Sequence, residues 1–374
     1  MNKDSWKWKT LGSISDIHDY KRKPITKKDR KIGIYPYYGA TGIQDYIDNY
    51  IFDGSFVLVG EDGAKWGANE NTAFLINGKF WVNNHAHVLQ MHNDIFPKWV
   101  VYYLNHKDLN EFITGAVVPK LNQAALRSIP IPVPFISIQK QIVEELDTLS
   151  DIITKKKEQL AELDKLAQAT FYDMFGDPVE NEKQWKTEKL DTLCTKITDG
   201  EHFRPETTSE GIPFLSAKDI LQEGISFKNT LFVTQETAKK ALRRCNPEKN
   251  DILIVSRGAT VGRMNMVKTD QVFCLLGSVI LLKFKPNELS SYFLLQTLRN
   301  PDVLNKIRGL SSSSAQQALY LKDLKLLSIP VPPLFLQNQF AKKVEDIEQQ
   351  KELINQSITN VQLLFDYTMD KYFN

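Results

Sequence analysis

The sequence predicts an α+β protein made of two strand-rich globules, each followed by a long helix. Three observations support this prediction. One half of the chain recurs in the other, short apolar runs between turn residues fill the globules, and each half ends in apolar residues at heptad spacing. The length of 374 residues and a hydrophobic content of 42% are enough for two or three domains with separate cores.

The internal repeat is clearest around a proline-rich segment, here called the strap. Residues 127–134 read RSIPIPVP, and residues 327–333 read LSIPVPP. The triplets QKQ at 139–141 and QNQ at 337–339 follow, offset by 198 residues. Proline excludes a helix and lacks the amide donor, so we expect each strap to be a stiff extended connection and a poor partner in a sheet.

The globules are predicted at residues 1–135 and 179–329. Residues 56–67 and 252–262 correspond as a short apolar strand followed by a loop rich in glycine. Further runs of this kind predict strands at 55–59, 72–76, 85–90, 251–255 and 277–284, and helices near 97–109 and 290–298. Each globule is therefore interpreted as mixed α+β.

The long helices are predicted at residues 136–178 and 330–374, where apolar residues step alternately by four and three. The first stripe is Ile142, Leu146, Leu149, Ile153, Leu160, Leu163 and Ala167, interrupted by Lys156. The second is Phe340, Val344, Ile347, Ile354, Ile358, Val361 and Phe365, interrupted by Lys351. Two stripes in the same phase favour pairing of the helices within one chain. The alternatives are packing of each helix on its own globule and homodimerisation.

Charge is segregated although the overall net charge is only +2. The globules carry net charges of +3 and +5, and the helical segments −4 and −2. This distribution is typical of globules that face a polyanion and helices that face something else, such as protein. For the lysine-rich residues 21–31, the alternative is a solvated loop.

Composition and cysteine spacing indicate the protein's environment. Cys194, Cys245 and Cys274 are isolated, which excludes a disulfide framework and a zinc knuckle and suggests a reducing cytoplasm. The longest apolar stretch, residues 275–282, is too short to span a membrane, and the N-terminal residues contain no apolar signal-like run. We expect a cytoplasmic protein that is neither exported nor embedded in a membrane.

Catalytic motifs are missing from the sequence. It contains no phosphate-binding G-x-x-x-x-G-K-[ST] loop, and neither Asn246-Pro247 nor Asn300-Pro301 continues into the proline-aromatic pair of a base methyltransferase. We expect a chain that is not catalytic by itself.

Two groups of residues are candidate metal sites. Asp53, Glu61, Asp62 and Lys65 resemble a nuclease cluster, but Gly63 occupies the position of an essential acid. His85 and His87 would share one face of a strand, where a polar patch or a packed histidine is the alternative to a metal site. We predict no metal site.

The chain contains two strand-rich globules, each followed by a strap, a Q-x-Q helix start and a long helix with a heptad stripe. With these features it resembles the specificity subunits of type I restriction-modification enzymes. Further phrases that resemble the target recognition domains of this family are YYGATGI at 37–43, VGEDGAK at 59–65 and VNNHAH at 82–87. In the second globule they are TDGEH at 198–202, IPFL at 212–215 and SRGATVG at 256–262. The resemblance covers the whole chain, and the two globules differ strongly from each other.

The resemblance implies a DNA-binding subunit without catalytic residues or cofactors of its own. Such a subunit binds double-stranded DNA, two modification (methyltransferase) subunits and the restriction (translocase) subunits. S-adenosylmethionine would bind only to the modification subunit, and ATP with magnesium only to the restriction subunit. The resemblance also implies that the two helices are antiparallel, and the unlike globules suggest an asymmetric site of two separated parts. A helix of about 39 residues is ~58 Å long and would set the gap between them.

We expect DNA contacts on the loops that follow the apolar strands and on those that precede the straps. They are Lys65, Trp66, Lys120, Arg204, Lys218, Arg257, Arg263 and Arg308. The arginines at 257 and 263 could read guanine edges or hold phosphate, and for each residue an ordinary surface or structural role is the alternative. The alternative functions are a related recognition subunit with a fused nuclease-methyltransferase partner, a stand-alone DNA-modifying enzyme, and a coiled-coil scaffold that binds protein.

Overall fold

The computed structural model describes Lys3 and residues 6–115, 117–309 and 318–374. The chain divides into two compact units. Unit 1 comprises residues 1–157 and 356–374, and unit 2 comprises residues 158–355. Each unit thus contains one globule and a part of each long helix, whereas the predicted domains follow one another along the chain. Among the described helices, none combines the length and the apolar character needed to cross a membrane.

Unit 1 is built on one six-stranded sheet. Its strands and helices are β1 (Lys7–Thr10), α1 (Leu11–Ile14), β2 (Ser15–Ile17), β3 (Ile32–Gly39), β4 (Gly42–Ile47), β5 (Phe52–Gly60), β6 (Ala73–Val82), β7 (Ala86–Met91), α2 (Pro97–His106), α3 (Gln123–Ser128) and β8 (Pro130–Val133). The sheet order is β2-β7-β5-β6-β3-β4, and only the β3–β6 pair is parallel. Successive residues of β5 point to opposite faces. Val57 packs with Trp99 of α2, and Leu58 packs in an aromatic cluster around Phe80.

Unit 2 follows the same plan with one interruption. Its elements are β9 (Thr187–Lys189), α5 (Leu190–Leu193), β10 (Cys194–Asp199), β11 (Ile212–Leu215), β12 (Leu231–Val233), α6 (Gln235–Arg244), β13 (Ile252–Val255), β14 (Met264–Met266), β15 (Cys274–Leu275), β16 (Val279–Phe284), α7 (Ser291–Arg299), α8 (Pro301–Gly309), α9 (Leu321–Leu326) and β17 (Ser328–Pro330). The sheets are β10-β16-β13-β14 and β12-β11-β15, and β11 and β15 are parallel. Strands β14 and β15 correspond to the two parts of β6, interrupted by residues 267–273.

The two long helices are α4 (Ile136–Phe175) and α10 (Leu334–Phe373), each of 40 residues. In unit 1, the end of α10 packs against the start of α4, and the Tyr372 hydroxyl donates to Glu145 Oε2 at 2.9 Å. In unit 2, the start of α10 packs against the end of α4, and Lys351 Nζ lies 2.7 Å from Asp164 Oδ1. The two pairs of residue numbers have nearly the same sum, as antiparallel pairing requires.

The predicted heptad stripes are the protected face of both helices. Ile142, Leu146, Ile153, Phe340 and Ile347 are buried. Partly buried stripe positions are Leu149, Lys156, Leu160, Leu163, Ala167, Val344, Lys351, Ile354, Ile358, Val361 and Phe365. Most positions between them are exposed. The structure confirms the predicted α+β class with two strand-rich globules and paired helices, and the pairing lies within one chain.

The straps were expected to be poor sheet partners, and this expectation is wrong. The first strap forms β8, which pairs antiparallel with β1, and the second forms β17, which pairs with β9. Pro130 and Pro132 alternate with Ile131 and Val133, so the missing amide donors all fall on the side away from the partner strand. Alternation therefore lets a proline-rich segment act as the edge of a two-stranded sheet.

A fully buried glutamine ties each strap to the start of its long helix. Gln139 Nε2 donates to the carbonyl oxygens of Pro134 at 2.8 Å and Asp94 at 3.1 Å, and its Oε1 accepts from the Phe96 amide at 2.8 Å. Because Phe96 precedes α2, one side chain joins strap, long helix and globule helix.

Unit 2 repeats this arrangement. Gln337 Nε2 donates to the Pro332 oxygen at 2.7 Å, and its Oε1 accepts from the Ser290 amide at 2.9 Å, just before α7. The first glutamine of each Q-x-Q triplet is therefore a buried clamp that fixes the direction in which the long helix leaves the globule.

Candidate nucleic-acid interface

In unit 1, a loop at the end of β5 is held between two other segments. The Glu61 amide donates to the His85 oxygen at 2.9 Å, and the Glu61 oxygen accepts from the Leu121 amide at 2.8 Å. The loop then turns through Gly63, whose φ of +68° lies in the left-handed region that favours glycine. The loop after β5 and the segment before the strap therefore meet at the end of this central strand.

Unit 2 contains the same arrangement with different side chains. The Ser256 amide donates to the Ser278 oxygen at 2.8 Å, and the Ser256 oxygen accepts from the Leu319 amide at 2.8 Å. Ser256 is thus the counterpart of Glu61, and the following glycine, Gly258, also has a positive φ of +90°. The segment before the second strap includes residues 310–317, which lie outside the described residues.

Lys65 and Trp66 were both predicted as DNA contacts, and their placements differ. The Lys65 side chain is 78% exposed and has an ion pair of 3.5 Å with Glu70. Trp66 is buried in the core of unit 1, and its indole nitrogen donates to the Gly60 oxygen at 3.0 Å. Trp66 is therefore a core residue that closes the loop, and its assignment as a DNA contact is wrong. Its counterpart in unit 2, Val261, is also buried.

Lys120 belongs to an ion-paired network beneath the loop. Its Nζ lies 2.7 Å from Glu61 Oε1, while Arg22 pairs with the other oxygen of the same carboxylate. His87 is fully buried, with Nδ1 2.6 Å from Asp19 Oδ2 and Nε2 2.7 Å from the Leu121 oxygen. The Lys120 side chain is still 42% exposed, so its ammonium group is accessible at the rim of the network.

The charges of this network determine the ionisation of its acids. Burial alone would raise the pKa of Glu61, but hydrogen bonds from Lys120 and Arg22 outweigh it and hold this pKa below its usual value. For Asp19, the hydrogen bond and charge of His87 likewise outweigh burial and lower the pKa. Both carboxylates are therefore ionised at neutral pH and stabilise the cations around them.

Ligand atoms of Asp19, Glu61 and His87 lie within 4.8 Å of one another, a spacing that could hold a metal ion. Both carboxylates already have partners, because Arg22 pairs with each of them and Lys120 pairs with Glu61. A metal ion would have to displace these cations, so the geometry fits an ion-pair network better than a metal centre. The acids also do not form the nuclease cluster considered from the sequence, because Asp53 lies near the opposite end of β5 from Glu61.

The two histidines of the HAH segment do not share a strand face. His85 lies in the turn before β7, where its Nδ1 pairs with Asp62, and its side chain is 46% exposed. His87 lies inside β7 and is fully buried. The expectation of two imidazoles on one face is therefore wrong, because the strand begins one residue after His85.

The cysteines do not offer a nucleophile. Cys194, Cys245 and Cys274 are free and buried. Burial raises the pKa of the first two thiols to about 12 and that of Cys274 to about 11. These thiols are therefore protonated at neutral pH and act as small apolar side chains.

In unit 2, the structure brings three of the predicted arginines to one region. Arg257 is exposed on the loop after β13, and its backbone forms a bridge with Ala318. Arg263 ends this loop, is partly buried, and its guanidinium lies 3.4 Å from the Ile220 oxygen. Arg308, in the last turn of α8, lies beside Gly262 of the same loop. The loop after β13 and the end of α8 therefore form one basic surface.

The two remaining candidates of unit 2 lie on other segments. Lys218 is exposed, and its Nζ donates to the Asn229 oxygen at 2.8 Å. It lies two residues before Ile220, so Arg263 connects its turn to the loop after β13. Arg204 is exposed on the long loop between β10 and β11.

Sequence reasoning missed the basic helix α6 of unit 2. Ala238 and Ala241 are buried against the sheet, while Lys239, Lys240 and Arg243 are exposed. The signal is present in the sequence of residues 235–244, QETAKKALRR, where small residues at helical spacing alternate with cations. Without a long apolar stripe, the segment did not stand out as a helix.

Comparison with known proteins agrees with this duplicated arrangement. The family model described as the type I restriction modification DNA specificity domain matches the chain twice, at residues 3–165 and 182–363. The chain belongs to this family. A putative type I restriction enzyme specificity subunit of Haemophilus influenzae is 28% identical over 98% of this chain and 92% of the relative. The EcoBI specificity subunit of Escherichia coli is 23% identical over 96% of this chain and 82% of its own length.

A solved structure shows that the fold is shared. The S subunit of the type I restriction-modification system of M. genitalium superimposes with a TM-score of 0.63 at 17% identity, covering 99% of this chain and 96% of that one. Membership in the specificity family makes the chain a non-catalytic recognition component, and it does not favour a stand-alone enzyme or a coiled-coil scaffold.

Proposed function

We propose that the chain is the DNA-recognition subunit of a type I restriction-modification complex and reads an asymmetric site in two parts, one with each unit. The single observation that carries this proposal is a shared backbone with unlike side chains. Glu61 and Ser256 occupy equivalent positions at the end of a central strand, and so do Gly63 and Gly258. The residues between them are Asp62 in unit 1 and Arg257 in unit 2.

Unlike residues on a shared backbone suit the reading of two different sequences. Arginine can donate two hydrogen bonds to a guanine edge, whereas aspartate can accept from a cytosine amino group. Further differences at equivalent positions are Lys65 against Thr260 and Lys120 against Ala318. A palindromic site would need like chemistry at these positions.

The cations on and around each loop would hold the DNA backbone. Lys65 and Lys120 serve this role in unit 1, and Arg204, Lys218, Arg263 and Arg308 in unit 2. Cations of this kind fix the position of a protein on DNA without reading its sequence. Arg257 is assigned to base reading because it stands at the tip of the glycine turn.

The proposed partners are two modification subunits and the restriction subunits, and the complex would work in the cytoplasm. The cofactors belong to these partners, S-adenosylmethionine to the modification subunits and ATP with magnesium to the restriction subunits. The segregation of charge supports separate surfaces for DNA and for the protein partners, since the globules carry the net positive charge and the helices the net negative charge. We further propose that the length of the paired helices, ~60 Å for 40 residues at 1.5 Å per residue, sets the gap between the two parts of the site.

The test is to express the chain with its modification subunit in a host without other methyltransferases and to map methylated bases across the genome. We expect two short elements separated by a fixed unread gap. Arg257→Ala should relax one position in one element only, whereas Lys218→Ala should weaken binding to all sequences alike. A continuous or palindromic motif would contradict the bipartite reading. If Arg257→Ala changed neither affinity, sequence preference nor salt dependence, its assignment would be wrong.

A further inference from the structure

The lysines of a basic segment in unit 1 have no role in the site described above. Residues 20–31, which follow β2, contain seven lysines and arginines and one aspartate, a net charge of +6. The structure sorts these cations by type. The side chains of Arg22 and Arg30 are only 14% and 16% exposed, whereas the five lysines face solvent.

The first arginine anchors the start of the segment to the sheet. Arg22 pairs with Glu61, and its guanidinium also donates to the Ala86 oxygen at 2.9 Å. Immediately before it, the Asp19 carboxylate accepts from the Val88 amide at 3.0 Å and pairs with His87 at 2.6 Å. Strand β7 and the end of β5 therefore hold the entry to the segment.

The second arginine anchors its end. The Arg30 guanidinium stacks over the Tyr37 ring at 4.3 Å, lies 3.3 Å from Asp45, and donates to the Ile25 oxygen at 3.1 Å. Between the two anchors, the Trp81 indole donates to the Lys23 oxygen at 2.6 Å, and the Ile25 amide donates to the Tyr37 hydroxyl at 3.0 Å. The backbone of this segment is thus fastened at both ends and near its middle, which is not expected of a merely solvated loop.

The lysines form the outer surface of this fastened segment. They are Lys21, Lys23, Lys27, Lys28 and Lys31, all exposed. Within the described chain, none of the five has an ion pair with a carboxylate, whereas both arginines do. Five like charges lie within residues 21–31 and repel one another, so a polyanion that neutralises them is bound favourably. A fastened backbone also lowers the entropy lost on binding.

The same place in unit 2 has the opposite charge. Asp199 is the counterpart of Asp19. Each lies two residues after an isoleucine, Ile17 or Ile197, that pairs with an equivalent leucine of β7 or β16, and each carboxylate pairs with an arginine. The twelve residues after Asp199, 200–211, contain one arginine and three glutamates, a net charge of −2. The basic segment is therefore not a requirement of the shared fold.

We infer that residues 20–31 form a phosphate-binding arm that unit 1 has and unit 2 lacks. Its occupant is the sugar-phosphate backbone of duplex DNA beside the half-site read by unit 1. The arm supplies affinity independent of sequence, and most of the salt dependence of unit 1 comes from it. This inference rests on the proposed function, and it adds that the two units hold DNA in different ways.

The test compares two triple variants of the full chain. One carries Lys27→Gln, Lys28→Gln and Lys31→Gln in the arm. The control carries Lys140→Gln, Lys155→Gln and Lys157→Gln, three exposed lysines on α4, so that both lose the same charge. The probe is a fluorescent 40-base-pair duplex of random sequence, titrated between 50 and 200 mM NaCl. Circular dichroism and the thermal midpoint establish that both variants fold.

The arm variant should lose about 2–3 from the magnitude of the slope of log K against log salt, since each phosphate contact contributes ~0.9. The control should lose less than 1. If the arm variant also loses less than 1 while the wild type binds with a steep slope, the arm is refuted and the proposed function stands. If the wild-type chain binds no duplex at all, the proposed function fails with it.

An anionic membrane is the competing occupant, and a second experiment addresses it. Vesicles of phosphatidylglycerol at the same phosphate concentration compete with the duplex for the wild-type chain. We expect the duplex to retain the protein. If the wild-type chain moved from the duplex to the vesicles while the arm variant did not, the assignment to DNA would be overturned.

Discussion

The buried glutamine clamp of unit 1 leads to a sharp prediction about stability. Gln139→Leu keeps the size of the side chain but removes one acceptor and two donors. The Phe96 amide and the oxygens of Pro134 and Asp94 would lose their partners. Gln141, two residues later on the same helix, is exposed and offers the matched control Gln141→Leu.

The expected cost follows from the burial of these three bonds. An unsatisfied buried partner costs about 1–3 kcal/mol. The bond to Pro134 is buried, while Asp94 lies at the surface where water can replace the lost donor. Counting the Pro134 and Phe96 groups, Gln139→Leu should destabilise unit 1 by about 2–6 kcal/mol. Gln141→Leu should stay within ~0.5 kcal/mol of the wild type.

Urea unfolding measures the global effect, and amide hydrogen exchange measures the local one. In Gln139→Leu, we expect the Phe96 amide and the first turn of α2 to lose protection from hydrogen exchange. The amides of β5 should lose only the protection that corresponds to the drop in global stability. The variant Gln337→Leu should have the same effect at Ser290 in unit 2. If Gln139→Leu proved as stable as Gln141→Leu, with the Phe96 amide still protected, the clamp would have no energetic role.

Three further predictions concern the loop, the network and the helices. Trp66→Ala should destabilise unit 1 by about 3–5 kcal/mol because it empties a core site, whereas Lys65→Ala should leave stability within ~0.5 kcal/mol and weaken DNA binding. The folded-state pKa of Glu61 is lowered, so its contribution is present above the unfolded value, near 4, and is lost as pH falls through the folded pKa. The stability difference between wild type and Glu61→Gln should thus be largest at pH 7 and shrink in acid. Inserting one heptad into each long helix at matched points should lengthen the gap in the target by about three base pairs, since seven residues add ~10 Å.

Each of these predictions has its own measurement. Chemical denaturation separates Trp66→Ala from Lys65→Ala, and equal stability of the two would contradict the placement of the indole in the core. Denaturation of the wild type and of Glu61→Gln between pH 7 and pH 3 tests the network. A difference in unfolding free energy that stays constant across this range would contradict it. Methylation mapping of the lengthened chain measures the gap, and an unchanged gap would show that the helices do not set the spacing.

The sequence was sufficient where a pattern alone determines an element. The heptad stripes of α4 and α10 predicted both helices, because apolar residues that recur every 3.5 positions fall on one face of an α-helix, and that face can then be buried. The offset of 198 residues predicted two related globules, because a repeated strap and helix start cannot arise from composition. The class of fold and the family followed from these local patterns.

The sequence was insufficient where the role of a residue depends on its distant neighbours. Trp66 and Lys65 are adjacent in a glycine-rich loop, and no local signal separates the core residue from the exposed one. The straps became strands only because β1 and β9 lie beside them. The acids weighed as a nuclease cluster were split, Glu61 joining Arg22 and Lys120 and Asp62 joining His85.

The sequence by itself determined the duplication, the paired helices and the α+β class, since each of these depends on periodicity along the chain. Only the tertiary structure decided which cations are free to meet a ligand. In residues 20–31 the arginines turn inward and the lysines outward, because planar guanidinium groups find an aromatic ring on β3 and carboxylates on β4 and on the loop after β5. Glu61 lies 39 residues from Arg22, and Asp45 lies 15 residues from Arg30, so folding brings these ion pairs together.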